Sequence, residues 1–413
     1  MRYPSRALLA VGLVAALGGT VAFRAKAAKA NFPASVPFTF KTFDAPVLGA
    51  ASTMVVGINN LGDIVGSYNF IPNLAALGAP SAFFGQGFVS YHNGGFVSYA
   101  GPGPVNPQNC DPTHGKFSGC YFMEVRGIND HGDIVGTYSQ DVLNPNGGLF
   151  RAFYKKASDT SITSYLAPGH SNSIFQKITD TGLIYGCFHD QGIDNSDQAS
   201  MHGVINQLTK DNTIQNLSMS PENSSMNTGG GPAGLQHAGV FYDFKSLRHR
   251  SFVMTAGHRV DFDVPGSNVT QAWDMNALGD VVGVWGNNTD PIVIDGYPFH
   301  GFLRDRTGKF IDIEYPGSSD THVFGINDLG VIVGSYVDAQ QNVHGFIATP
   351  GDRHGEAFND GRGPRRHDVM NAAFKTSSSS NVRVAMMKII PNNTPLLPAS
   401  QTPHCHQMAM HKN

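Results

Sequence analysis

The sequence predicts an all-β fold, a six-bladed β-propeller of four-stranded antiparallel blades, and three observations predict it. First, one phrase keeps returning: GINNLGDIVGSY at Gly57 to Tyr68, GINDHGDIVGTY at Gly127 to Tyr138, DMNALGDVVGVW at Asp274 to Trp285 and GINDLGVIVGSY at Gly325 to Tyr336. A weaker copy, KITDTGLIYGCF, lies at Lys177 to Phe188, and a decayed one keeps Met226, Asn227, Gly230 and Gly234 in frame. Second, the glycines taken as equivalent (Gly62, Gly132, Gly182, Gly230, Gly279, Gly330) are spaced by 70, 50, 48, 49 and 51 residues. Steps of this size are those of propellers and repeat arrays, and one of them carries an insertion. Third, the chain has 48 glycines, 24 prolines and only 14% charged residues, with glutamate confined to Glu124, Glu222, Glu314 and Glu356. Aspartate favours turns and glutamate favours helices, so the bias suits short strands joined by tight turns.

In chain order, residues 1–30 read as an export signal. Arg2 and Arg6 precede an apolar run from Ala7 to Phe23, and Ala28-Lys29-Ala30 supplies a small-residue cleavage site. An uncleaved anchor is the alternative, because Arg24, Lys26 and Lys29 follow a run that approaches the length of a bilayer span. Once the signal is removed no membrane span is expected, and the chain is placed in the periplasm, at the cell surface or outside the cell.

Residues 31–350 carry the repeats. In the sixth copy each unit divides into KFIDIEYPGS (Lys309 to Ser318), THVFGIN (Thr321 to Asn327), GVIVGSY (Gly330 to Tyr336) and HGFIATP (His344 to Pro350). All four are β-branched or aromatic over about five residues, and the second and third flank an Asn-Asp-Leu-Gly turn, so they form a hairpin. HRVDFDVPGS before the fifth hairpin and FKTFDAP before the first obey the same grammar. Four strands of about 5–6 residues with short connections account for the period. In this frame the chain starts with a first-type strand and ends with a fourth-type strand, so each unit is complete in sequence. A β-solenoid is the competing reading. Residues 351–413 lose the pattern and are rich in Gly, Ser, Pro and Asn, the composition of a mostly disordered tail. A short ordered stretch is expected at Val382 to Ile390.

The repeat resembles the HAF family of bacterial exported proteins, named for a His-Ala-Phe tripeptide. Arg151-Ala152-Phe153, His202-Gly203-Val204, His300-Gly301-Phe302 and His344-Gly345-Phe346 occupy its place, each after a hairpin, and the resemblance covers the repeat region. It implies export and a repeat scaffold but no catalytic residues. Glycine replaces alanine in three of the triplets.

Candidate chemistry is sparse. A net charge of −3 and a pI near 6.6 give no basic stripe, so no nucleic acid is expected as partner. There is no GxSxG elbow, HExxH helix or phosphate loop. An acid recurs before proline, at Asp44-Ala45-Pro46, Asp263-Val264-Pro265 and Glu314-Tyr315-Pro316. If the strand that carries it lines the central channel, Asp44, Asp263 and Glu314 ring one mouth as candidate catalytic acids. If not, each acid serves its own loop. The turns at Asn59 to Asp63 and Asn129 to Asp133 resemble fragments of calcium loops but offer too few oxygens, so no cofactor is expected and calcium is the one kept open. His404, Cys405 and His406 have soft ligand spacing for zinc or copper in the tail. Cys110 and Cys120 bracket a short segment of an insertion and, in an oxidising compartment, form a disulfide; Cys187 reads as a buried small hydrophobe. The expectation is a monomeric, non-enzymatic binding module for a carbohydrate or a protein. A polysaccharide hydrolase or lyase is the rival, and a structural cell-surface module the second alternative.

Overall fold

A computed structural model describes residues 38–73, 75, 85–100, 123–139, 150–190, 201–221, 224–287, 298–351 and 382–385. The chain opens with β1 (Phe38–Phe43). Blade 1 follows as β2 (Ser52–Ile58), β3 (Ile64–Asn69), β4 (Gln86–Ser90) and β5 (Phe96–Tyr99). Blade 2 is β6 (Met123–Ile128), β7 (Ile134–Ser139), β8 (Phe150–Lys155) and β9 (Thr163–Tyr165). Blade 3 is β10 (His170–Ile178), β11 (Leu183–Asp190), β12 (Met201–Leu208) and β13 (Ile214–Met219). Blade 4 is β14 (Ser225–Gly230), β15 (Gln236–Asp243), β16 (Arg248–Thr255) and β17 (His258–Phe262). Blade 5 is β18 (Val269–Met275), β19 (Val281–Gly286), β20 (His300–Arg304) and β21 (Phe310–Ile313). Blade 6 is β22 (Asp320–Ile326), β23 (Ile332–Val337) and β24 (Val343–Pro350). A last strand, β25 (Val382–Ala385), lies parallel to β5 on the outer edge of blade 1.

The fold is a six-bladed propeller and not a solenoid, because β2, β6, β10, β14, β18 and β22 meet one another in a closed ring. The expected frame is shifted, however. The strand read as first in each unit is the outermost strand of the preceding blade, and β1 completes blade 6 in the order β1-β24-β23-β22. Phe38 pairs with Pro350 and Phe43 with Gly345, so the ring is latched by its own N-terminal strand. Phe40 packs on Phe346 and Tyr315, and Phe43 on Phe88 of blade 1. The equivalence taken for the decayed copy also moves. Gly230 lies within β14, and Gly234 holds the turn with φ +70°, as Gly62 does at +89°.

The recurring phrase is explained by inter-blade bonding. The first asparagine folds its turn by accepting a downstream amide, as Asn59 Oδ1 does from Asp63 N at 2.8 Å. Its Nδ2 then reaches the next blade: Asn276 to Asn327 O, Asn327 to Asn59 O, Asn59 to Asn129 O and Asn129 to Thr179 O, all at 3.0–3.2 Å. The next residue repeats the stitch in a second ring. Ala277 N donates to Asp328 Oδ1, Asp328 N to Asn60 Oδ1, Asn60 N to Asp130 Oδ1 and Asp130 N to Asp180 Oδ1. The aspartate after the turn glycine holds the neighbouring hairpin of its own blade, as Asp133 Oδ1 accepts Ala157 N and Asp280 Oδ1 accepts Arg306 N. Both rings run from blade 5 through blades 6, 1 and 2 to blade 3 and stop at blade 4, where Gly231 replaces the asparagine. Asn327→Ala removes one stitch and one turn lock, and should cost about 2 kcal/mol in urea unfolding. Thr179→Ala, in the copy whose side chain reaches no further blade, should cost less.

The glycine of the I-V-G triplet has a different task. Gly334 sits opposite Phe346 in the blade 6 ladder, and a Cβ there would collide with the His322 carbonyl and the Phe346 ring. Gly66 opposite Phe88 is in the same position. The middle residue of the His-Gly-Phe triplet is small because a Cβ at Gly301 or Gly345 would strike Val323 or Val55 of the next blade.

Candidate functional site

Two regions collect polar chemistry: the axis of the ring and the rim of one face. Each inner strand carries a β-bulge at the same place, and the extra residue is Val56, Arg126, Gln176, Thr228, Trp273 or Phe324. A bulge re-aims a side chain out of the ladder. All six of these residues line one axial cavity of about 10 Å³, the room that about one water molecule needs. Met54, Val56, Ile174, Met226, Trp273 and Phe324 belong to one buried apolar cluster that fills the rest of the axis. Fully buried Cys187 joins it, but as a disulfide-bonded half-cystine and not as the simple small hydrophobe that the sequence suggests.

Two ion pairs are set into this plug. Arg126 and Glu124 stand 2.6 Å apart on β6, and the guanidinium also donates to Gln176 Oε1. Lys177 Nζ meets Asp274 Oδ1 at 2.6 Å and the Met275 carbonyl at 3.1 Å, and Asp274 Oδ2 accepts Ile326 N. Lys177 and Asp274 occupy the position held by Gly57, Gly127 and Gly325 in other blades. They link blades 3 and 5 across blade 4, where a Cβ at Gly229 would overlap the Asp274 carboxylate. Tyr185 fills the space over Gly230 and donates to Gly231 O at 2.7 Å. The glycine-rich copy is therefore shaped by its neighbours, and the charge pair spans the gap that both hydrogen-bonded rings leave.

Burial raises Glu124 to about 7, with Arg126 opposing, and also raises Asp274 against the pull of Lys177. A carboxyl raised in the fold contributes stability that is present below its unfolded pKa of 4.5 and lost as pH rises through about 7. Glu124→Gln removes that dependence. The stability difference between variant and wild type should shift toward the variant by up to about 3 kcal/mol between pH 5 and 8, read from urea midpoints at each pH. Burial holds His237 down near 4, which gives the opposite slope below its ordinary value and is common to both proteins.

The acids before proline are not in the channel. Asp44, Asp263 and Glu314 follow β1, β17 and β21, the outermost strands, so the expected ring of channel acids is replaced by pairs at the rim. Two of the acids meet the histidine of a triplet on their own blade, His344 Nδ1 to Asp44 at 2.9 Å and His300 Nδ1 to Glu314 at 2.6 Å, and the third, Asp263, meets Arg250 Nε at 3.1 Å from the equivalent ladder position of β16. His344 also reaches Asp338 at 3.2 Å, and His202 sits 3.0 Å from Asp190. The Asp44 hydrogen bond outweighs burial and raises His344; for His300 burial pulls down, but Glu314, Asp312 and Asp320 leave it raised. The intervening residue pins the linker, since Val264 N and Tyr315 N donate to Thr270 and Thr321 of the next blade. Pro265-Gly266 and Pro316-Gly317 then form turns with glycine φ near +80°, the type II geometry.

Among the described residues no group of three or more His, Cys, Asp or Glu is placed to hold a metal ion, and no helix is long and apolar enough to cross a membrane. In the turns that resemble calcium loops, Asn60 Oδ1 and Asp130 Oδ1 accept from the second ring, while Asp63 Oδ1 and Asp133 Oδ1 accept His92 N and Ala157 N of their own blades. The export signal, Cys110, Cys120, His404, Cys405 and His406 lie outside the described residues.

The chain matches no family model and no curated protein. Among solved structures it is similar to the β-propeller domain of the trilobed protease from Pyrococcus furiosus, at 9% identity over 74% of this chain and 100% of that one with a TM-score of 0.38. A chain of the nidogen/laminin complex follows at 7% identity, 67% and 86% coverage and a TM-score of 0.35. Fructan 1-exohydrolase IIa from Cichorium intybus gives 9%, 76% and 84%, and 0.32. Likenesses this low carry no inference of function.

Proposed function

We propose that the chain is an exported, non-enzymatic β-propeller that binds a carbohydrate or a protein partner through one face. One observation carries this reading: the strand ends that flank each insertion into the repeat lie on the same side. In an antiparallel meander the first-to-second and third-to-fourth turns share one face. The second-to-third connections and the linkers between blades share the other. The turns of the recurring phrase are short and occupy the first face, where the two rings tie blade to blade. The strands that flank residues 70–85, 100–122, 140–149, 191–200 and 287–299 end on the second face, where the His344, His300 and Arg250 pairs form the rim.

Insertions on one face of a rigid repeat scaffold are where binding surfaces are built. The filled axis supports the same reading, because a sugar ring does not fit in a cavity of about 10 Å³. The hydrolase alternative loses its motivating geometry now that Asp44, Asp263 and Glu314 stand at the rim, each held by a histidine or an arginine. The HAF resemblance, with its implied export, is retained as part of the proposal.

A glycan array probed with the full chain tests it. Binding should be saturable and should fall at least tenfold when residues 100–122 are replaced by a short turn. A clean negative on the array would sink carbohydrate and leave a protein partner.

A further inference from the structure

The axial cavity plays no part in the loop-face reading, and several of its lining residues carry N–H donors. Lys177 and Asp274 satisfy each other and the Met275 and Ile326 backbone. Thr228 gives its proton to the Ala238 carbonyl at 3.3 Å. Gln176 receives Arg126 on Oε1, which leaves its Nε2 amide as a donor. Trp273 is 6% exposed, and its buried indole Nε1–H has no hydrogen-bond partner among the described residues. A buried donor left unmatched costs about 1–3 kcal/mol. The cavity is lined by Trp273 and Gln176 together with Arg126 and Lys177, which pair with Glu124 and Asp274, and both Asp274 oxygens are already engaged.

We propose that the axial cavity is a binding site for one small monatomic anion, a halide ion, held between Trp273, Gln176 and Arg126. Its size of about 10 Å³ excludes sulfate, phosphate and carboxylates. Burial raises the carboxyls of Glu124 and Asp274, which weakens the competing negative charge beside the cavity, although burial also lowers the Arg126 guanidinium. The ion completes the donors of blades 2, 3 and 5 at the point where the plug is most polar. It acts as a structural ligand of the closed ring.

Two measurements on the full chain decide it. Crystals soaked in sodium bromide should show an anomalous difference peak between Trp273 and Gln176. Thermal midpoints should rise saturably with bromide or chloride but not with gluconate at matched ionic strength. Trp273→Phe keeps the ring and removes the N–H, and should raise the half-saturating bromide concentration about tenfold or more. If that variant does not fold, the wild-type map and salt series still decide. Density without anomalous signal, meaning a water, or midpoints identical in all three salts, overturns the site.

Discussion

Asp274→Ala should lower the unfolding free energy by about 3–5 kcal/mol, the cost of leaving a buried cation without its partner. Lys177 would keep only two backbone carbonyls, and the amides of Met275 and Ile326 would lose their acceptor. Removing both charges at once, with Lys177→Met and Asp274→Asn, should recover most of the loss, because the asparagine oxygen still accepts one amide and no charge is stranded. The double-mutant cycle of Lys177→Met and Asp274→Asn, with each single variant and the pair read from urea midpoints, should give a coupling of about 2 kcal/mol or more. Additive single effects would mean that the pair does not bridge blades 3 and 5.

Deleting residues 38–43 should destabilise the propeller by on the order of 5 kcal/mol, similar to the whole stability of many domains. The deletion removes a six-residue ladder and the contacts of Phe38, Phe40 and Phe43 with blades 6 and 1. It also bares the edge of β24, whose sequence VHGFIATP is apolar enough to pair with another chain. Sedimentation should show self-association, and Phe40→Ala should give a milder loss of about 2 kcal/mol. A truncated chain that stays monomeric and melts within a few degrees of the intact one would show that the ring closes without its latch.

Much of the fold was legible in the sequence because a repeated hairpin advertises itself six times. What periodicity could not supply was an origin. A four-strand repeat reads identically wherever it is cut, so periodicity groups each strand with the hairpin that follows it, whereas that strand and the acid after it belong to the preceding blade. The decayed copy misled for a related reason: its turn is one residue longer, since Gly231 N bonds Gln236 O where Asn59 N bonds Asp63 O. The rim pairs were hidden because His344 and Asp44 lie 300 residues apart in sequence. The Lys177–Asp274 pair did leave a trace. Two copies of the phrase begin with opposite charges, Lys177-Ile178-Thr179 and Asp274-Met275-Asn276, where three others begin with glycine. A charge at a position that the repeat keeps small calls for a partner in another copy.

The latch has a consequence for the order in which the molecule can be made. β1 is the first described strand to leave the ribosome or a translocon, yet its ladder partner β24 is the last of the propeller to follow. Blades 1 to 5 can assemble as they emerge, while Phe38 to Phe43 wait unpaired beside an unfinished ring. Closure joins the most distant contacts in the chain and becomes the natural last step, with a high entropic threshold. During that interval the waiting strand is open to chaperones, proteases and sister chains.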